Sequence, residues 1–252
     1  MNTGTIPSFL IRWCGRLALL CIAGIVLSVL GVRLGLLHYS TGLMGLIFSC
    51  QISVGLLTTV AAVSLVTRFR VQRPDALKSV LATLPGVLLA IYLRSMAGDY
   101  PVIHDISTDT ENPPVFLQGV TERGAGANSL AIKPGSIEQQ LLAYPELGSI
   151  HSRLGPEPAM AQAAEIATAL GWEIYNKDPQ ALLIEATHTS FWFGFVDDIV
   201  IRFNPTADGT VIDLRSVSRV GRGDVGANAK RIQAFARDWA LVEPAGRPEL
   251  PR

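Results

Sequence analysis

The chain has 252 residues, 49% of them hydrophobic, and its 21 basic and 21 acidic side chains leave no formal net charge. This length suits one or two domains, and the neutral balance argues against a nucleic-acid partner, which would favour a basic surface. The charges are unevenly divided, because the acidic side chains are concentrated after residue 99. We therefore predict a basic, apolar first part joined to a mildly acidic second part.

Three apolar stretches in the first part predict transmembrane helices, near residues 17–37, 41–67 and 77–98. A helix of about 20 apolar residues crosses the hydrocarbon core of a bilayer. A cleaved signal peptide is the alternative for the first stretch, but two further spans follow it and no small-residue cleavage site is evident.

Basic residues predict the orientation of the three spans. Cytoplasmic loops carry an excess of Lys and Arg, and two groups of them flank the same ends of the spans: Arg12, Arg16, Arg68, Arg70, Arg73 and Lys78. We predict a multi-pass protein of the cytoplasmic (inner) membrane with its N-terminus in the cytoplasm. Residues 99–252 would then form a domain in the periplasm of a Gram-negative cell.

The cysteines exclude several kinds of chemistry from that domain. Cys14, Cys21 and Cys50 all lie in or beside the spans, and none follows residue 100. A cysteine nucleophile, a redox pair and a cysteine-ligated metal are therefore excluded there. We expect no cofactor.

The second part predicts an α+β fold. Residues 99–156 are proline-rich and are expected to be irregular, residues 157–242 form the core, and residues 243–252 form a tail. In the core, a helix precedes four strands and a second helix follows them. The fold class is a two-layer domain with a four-stranded antiparallel meander flanked by two helices. The predicted strands are 172–176, 181–193, 195–203 and 210–220.

Gly221, Gly223 and Gly226 form a G-x-G-x-x-G pattern between the last strand and the last helix. In a dinucleotide-binding fold this loop follows the first of several parallel strands. Here it follows the last strand of the meander, so the topology excludes a nucleotide cofactor.

The same loop is a candidate anion site, because a helix N-terminus offers unpaired N–H groups and the positive end of the helix dipole. Strand alternation places Asp213, Arg215 and Arg219 on one face of the fourth strand. The alternative is structural: Asp224 caps the helix and the arginines form ion pairs with Asp197, Asp198 or Asp213. The candidate ligand-binding residues are Arg215, Arg219, Arg222, Gly223, Asp224, Asn228, Lys230 and Arg231.

A second candidate site consists of His104, Asp105, Asp109 and Asp198. Adjacent carboxylates can divide acid and base roles, and Asp197 next to Asp198 extends this possibility. The alternatives are local turns and the bend between two strands. The spacing of these residues matches no strong metal motif, and we expect no metal.

Three runs resemble the "domain of unknown function 1499" family of bacterial and plastid proteins: IHDISTDTENPPVF (103–116), FGFVDDIVIRF (193–203) and DLRSVSRVGRGDVGANAKRIQAF (213–235). The resemblance covers roughly residues 100–242. It implies that these runs hold the family's characteristic residues and that 103–116 packs against the sheet. It assigns no role to any residue and supplies no activity.

We favour a membrane-tethered binding or assembly module over an enzyme, because no established catalytic motif occurs in the chain. Its expected partners are the lipid bilayer and an anionic small molecule, a lipid headgroup or another protein. The alternative is an envelope hydrolase or transferase that uses the carboxylate and histidine site.

Overall fold

The computed structural model describes residues 5–67, 73–96, 98, 100–124 and 126–243. The predicted tail beyond Glu243 and the loop residues Arg68 and Arg70 lie outside the described residues. The chain forms two compact units: Met1–Asp99 together with Trp192–Gly194, and Tyr100–Phe191 together with Phe195–Arg252.

The first unit contains three long helices, α1 (Thr5–Arg33), α2 (Tyr39–Thr67) and α3 (Arg73–Met96). Each has an apolar window long enough to cross a membrane, which agrees with the three predicted spans. α1 begins at Thr5, well before the predicted start at residue 17, and includes the polar segment around Arg12 and Arg16.

Small residues let these helices approach one another closely. A methyl group added at Gly15 would lie 2.7 Å from the Ser79 hydroxyl oxygen, and one at Gly86 would lie 2.2 Å from that of Ser53. The Ser79 hydroxyl also donates a hydrogen bond of 2.7 Å to the backbone oxygen of Ile11. Close contact through Gly and Ser is typical of helices that pack inside a membrane.

Within the residues that the structure describes, the second unit contains six strands and four helices. In chain order they are β1 (Asp105–Ser107), α4 (Gly119–Glu122), α5 (Ser136–Ala143), β2 (Ile150–Ser152), α6 (Pro156–Ala169), β3 (Glu173–Asp178), β4 (Leu183–Thr189), β5 (Val196–Thr206), β6 (Gly209–Ser218) and α7 (Ala227–Val242). The sheet order is β1-β6-β5-β4-β3, and β2 also pairs with β6. All these pairings are antiparallel.

The α+β fold is confirmed, but the prediction of a four-stranded sheet was wrong. The predicted meander is β3 to β6, with α6 before it and α7 after it. The two additional strands, β1 and β2, lie in 99–156, which we predicted as irregular. β6 is ten residues long, so the edge it exposes beyond the meander is long enough for two three-residue strands.

The two faces of the sheet differ in chemistry. On the first face, Ile199, Ile201 and Leu214 pack with Ala163 of α6 and Phe235 of α7 in the main core. On the second face, a small cluster around Phe116, Val200 and Val217 is covered by the chain between β1 and α5. Alternate residues of a strand point to opposite faces, so the second face receives Asp198 and Arg202 of β5 and Asp213 and Arg215 of β6, whereas Asp197 faces α7.

Candidate functional site

Asp224 caps α7. Its carboxylate accepts hydrogen bonds from the backbone N–H groups of Gly226 (2.9 Å) and Asn228 (2.8 Å), which are donors that the helix itself leaves unpaired. Burial raises the pKa of the Asp224 carboxyl. Gly226 has a φ of +77°, and a methyl group there would lie 2.5 Å from the Tyr100 ring.

Polar side chains of α7 form hydrogen bonds with the sheet on which the helix packs. Asn228 is fully buried, and its side-chain amide donates to the His104 carbonyl and to the Ser218 hydroxyl. Arg231 donates to Asp197 at 2.6 Å and contacts His188 Nδ1 at 3.2 Å. Burial and the nearby charge of Arg231 lower the pKa of His188.

On the second face, Arg215 forms a two-point ion pair with Asp105, at 3.0 and 2.7 Å. Its remaining donors bond to the carbonyl oxygens of Pro114 and Leu130. The Arg215 side chain is only 5% exposed. This arginine therefore attaches two loop segments to β6.

Asp198 lies fully buried between Arg123 and Arg219. Arg123 donates at 2.5 Å, and Arg219 donates through Nε and Nη2. The hydrogen bond to Asp198 raises the pKa of Arg219, whereas burial lowers that of Arg123. Asp109 is not part of this cluster. Arg202 donates hydrogen bonds to both Asp109 and Asp213.

Three of the predicted anion-binding arginines, Arg215, Arg219 and Arg231, thus have carboxylate partners. Arg222 is exposed, and the Lys230 ammonium lies over the Tyr100 ring at 4.6 Å from its centroid. These ion pairs are contacts of the kind that the alternative, structural interpretation expects of the arginines. Anion binding by this set stays a prediction.

Arg219 also lines an open cleft of about 450 Å³ with Glu122, Glu173 and Tyr175. The buried Tyr175 hydroxyl has no hydrogen-bond partner among the described residues, and burial raises its pKa. The two glutamates and the pairing of Arg219 with Asp198 make this cleft a poor place for an anion.

A smaller cleft, of about 170 Å³, lies where β1 begins, and we refer to it as the His104 cleft. Its lining includes His104, Asp105, Lys133, Ser136 and Gln139. His104 and Asp105 come from the second predicted site, while Asp109 and Asp198 lie in the separate ion pairs described above. The structure therefore brings together two of the four residues of that site.

His104 is unusual among the cleft residues because it is only 3% exposed and neither ring nitrogen has a hydrogen-bond partner among the described residues. Buried polar groups are normally paired, so an orphan of this kind needs an explanation. Burial lowers the pKa of His104, and the charge of Lys133 acts in the same direction. The charge of Asp105, an interaction of the ring with the backbone of His104 itself and the charge of Asp224 oppose them more weakly.

The cleft also includes the start of α5. Gly135 precedes the helix with a φ of +78°, and no side chain caps its first turn. The Ser136 N–H bonds back to the Lys133 carbonyl at 3.1 Å, which holds the lysine backbone beside the helix start. The positive end of a helix dipole and a lysine side chain favour the same ligand charge.

Sequence reasoning missed Lys133, Ser136 and Gln139. The signal was present in KPGS (133–136), a proline and glycine immediately before a helix start. We predicted 99–156 as irregular because proline recurs there, and the eight-residue α5 lies within that segment. Among the described residues, no group of three or more His, Cys, Asp or Glu side chains could hold a metal ion.

No curated protein matches the chain. The family described as "Protein of unknown function (DUF1499)" matches residues 105–238, a little more than half of the chain. The match includes β1, all of the meander and most of α7. The chain belongs to the DUF1499 family.

Proposed function

We propose that this protein is a membrane-anchored binding module that holds a small anionic group in the His104 cleft. The observation that carries the proposal is the His104 ring, buried to 3% exposure at the wall of a cleft, whose two nitrogens have no hydrogen-bond partner within the part of the chain that the structure describes. A buried group without a partner costs free energy, and a ligand that bonds to it would recover that cost.

The charges around the ring favour an anion. Lys133 and the start of α5 contribute positive potential. The one carboxylate in the lining, that of Asp105, is bonded at both oxygens by Arg215, so much of its charge is balanced. A neutral imidazole presents one N–H donor and one acceptor, and a ligand oxygen that reaches the buried ring would take the donor.

We also propose that the domain lies outside the cytoplasm. In the structure, Arg12 of α1 pairs with Asp75 of α3 at 3.3 Å. This contact supports α1 and α3 starting at the same end of the helix bundle, as expected for three spans. The basic residues are concentrated at that end, and such ends face the cytoplasm.

The alternative function, an envelope hydrolase or transferase, needs a carboxylate and a histidine in one site. His104 lies near Asp105, but Arg215 holds that carboxylate in a two-point pair. Asp198 is fully buried between two arginines. The binding function therefore has the stronger geometric support.

The test is sulfate titration of the full-length protein in detergent micelles, followed by calorimetry. We expect Lys133→Met to weaken binding about ten-fold to a hundred-fold, because a hydrogen bond to a charged group contributes about 1.5–3 kcal/mol. Lys133 is exposed, so the change should leave the fold intact. Lys177→Met, on the exposed part of β3, is the matched control and should bind as the wild type does.

Either of two results would contradict the proposal. One is a wild-type protein that takes up neither sulfate nor phosphate at millimolar concentration. The other is equal affinity in the Lys133 and Lys177 variants, which would place any bound anion outside the His104 cleft.

A further inference from the structure

The segment that joins β4 to β5 is rich in aromatic residues. Its sequence is SFWFGF (190–195), in a chain of which only 7% is aromatic. We predicted that the strand continues to residue 193, but β4 ends at Thr189, so these side chains belong to a loop. Phe191 is 79% exposed and Trp192 is 69% exposed.

A loop that presents large aromatic side chains needs a physical explanation, since contiguous apolar surface on a soluble face favours association with something else. Tryptophan and tyrosine are enriched where a bilayer meets water, because each ring has an apolar body and one polar group. Trp192 has such a ring, and Phe191 beside it adds a wholly apolar one.

The covalent connection keeps the domain near the membrane. α3 ends at Met96, and the second unit begins at Tyr100. The four Cα–Cα steps from Met96 to Tyr100 span at most about 14 Å, so Tyr100 stays close to the end of α3.

We propose that residues 190–195 form an interfacial membrane anchor, in which Phe191 and Trp192 insert into the headgroup region of the bilayer that contains α1 to α3. The anchor is a second attachment of the domain, in addition to the covalent one. It is independent of anion binding in the His104 cleft, since it uses different residues and a different partner.

The test uses the fluorescence of Trp192 in the full-length protein, reconstituted in phosphatidylcholine nanodiscs with and without brominated acyl chains. The chain has four tryptophans, and Trp192→Phe removes one of them while keeping an aromatic ring. The difference between wild type and variant isolates the Trp192 emission. We expect this emission to lose at least half of its intensity in brominated lipid.

The control tests whether any exposed tryptophan would be quenched. Asp208 is exposed in the turn at the far end of β5, and the 11 residues of that strand separate it from the loop by roughly 35 Å. Asp208→Trp in the Trp192→Phe background should give emission that brominated lipid leaves unchanged. Unquenched Trp192 emission, or equal quenching at both positions, would overturn the proposal.

Discussion

At the scale of single residues, His104 combines a structural cost with a proposed role. Its ring is buried and has no hydrogen-bond partner among residues 5–67, 73–96, 98, 100–124 and 126–243, and an unsatisfied buried polar group costs about 1–3 kcal/mol. Proteins retain such costs at functional sites, where stability and activity oppose each other. If His104 served only for packing, its replacement would not raise stability and weaken binding at the same time.

We therefore predict that His104→Leu stabilises the domain while it weakens sulfate binding. The leucine fills a similar space without polar atoms, so the free energy of unfolding should rise by about 1 kcal/mol or more. Denaturant unfolding of the full-length protein in micelles measures this change. His188→Leu is the matched control, because His188 Nδ1 contacts Arg231 and its loss should give no gain.

The pH dependence of stability provides a second readout of the same variant. Burial lowers the pKa of His104 below its ordinary 6.5, so the unfolded chain takes up the proton first as the pH falls. The contribution of a neutral His104 to the free energy of unfolding is fully present above pH 6.5. It is lost as the pH falls through the lowered pKa. His104→Leu should lose less stability than the wild type over this range, and equal losses would contradict the prediction.

The pairing of the arginines could not be predicted from the sequence. Alternation placed Arg215 of β6 and Arg219, the residue after its end, on one face, because a strand has a fixed period of two. Their partners depend on tertiary structure: Asp105 lies 110 positions from Arg215 in the sequence. A single sequence contains no information about such distant contacts.

At the scale of elements, local sequence signals were sufficient to predict where α7 begins. Gly226, Asp224 and the apolar spacing after them predicted a helix start, and the structure has α7 beginning at Ala227. β1 and β2 had no comparable signal, since each has only three residues. Such strands form because the edge of β6 offers unpaired N–H and C=O groups.

We predict that the Asp224 cap, rather than its charge, stabilises α7. Asp224→Ala removes the acceptor for two backbone N–H groups and should lower the free energy of unfolding by about 1 kcal/mol. Asp224→Asn keeps one of the two acceptor oxygens, so it should lower the free energy of unfolding by about half as much as the alanine variant does. Denaturant unfolding compares the two variants. An asparagine variant as unstable as the alanine variant would show that the carboxylate charge is required.

At the scale of the whole molecule, the sequence predicted the division into a helical membrane part and an α+β domain. Hydropathy and length are sufficient for this, because spanning helices must be long and apolar. The His104 cleft is different, since it is formed by β1 and by the segment before α5. Because neither of these elements was predicted from the sequence, the cleft that they form could not be predicted either.

The orientation of the chain is the last prediction. Arg12, Arg16 and the basic residues of 67–78 should hold the N-terminus and that loop in the cytoplasm, with the domain on the other side. Alkaline phosphatase fused to the C-terminus should then be active in bacterial cells, and green fluorescent protein at the same position should be dark.

Charge substitutions test the cause of this orientation. Replacing Arg12, Arg16, Arg68, Arg70 and Arg73 with glutamine should give a mixed orientation, seen as a several-fold loss of phosphatase activity per molecule. Arg33→Gln is the control, because Arg33 lies at the opposite end of the first span and its removal strengthens the same charge bias. Fluorescence with inactive phosphatase in the wild type would reverse the topology and place the His104 cleft in the cytoplasm.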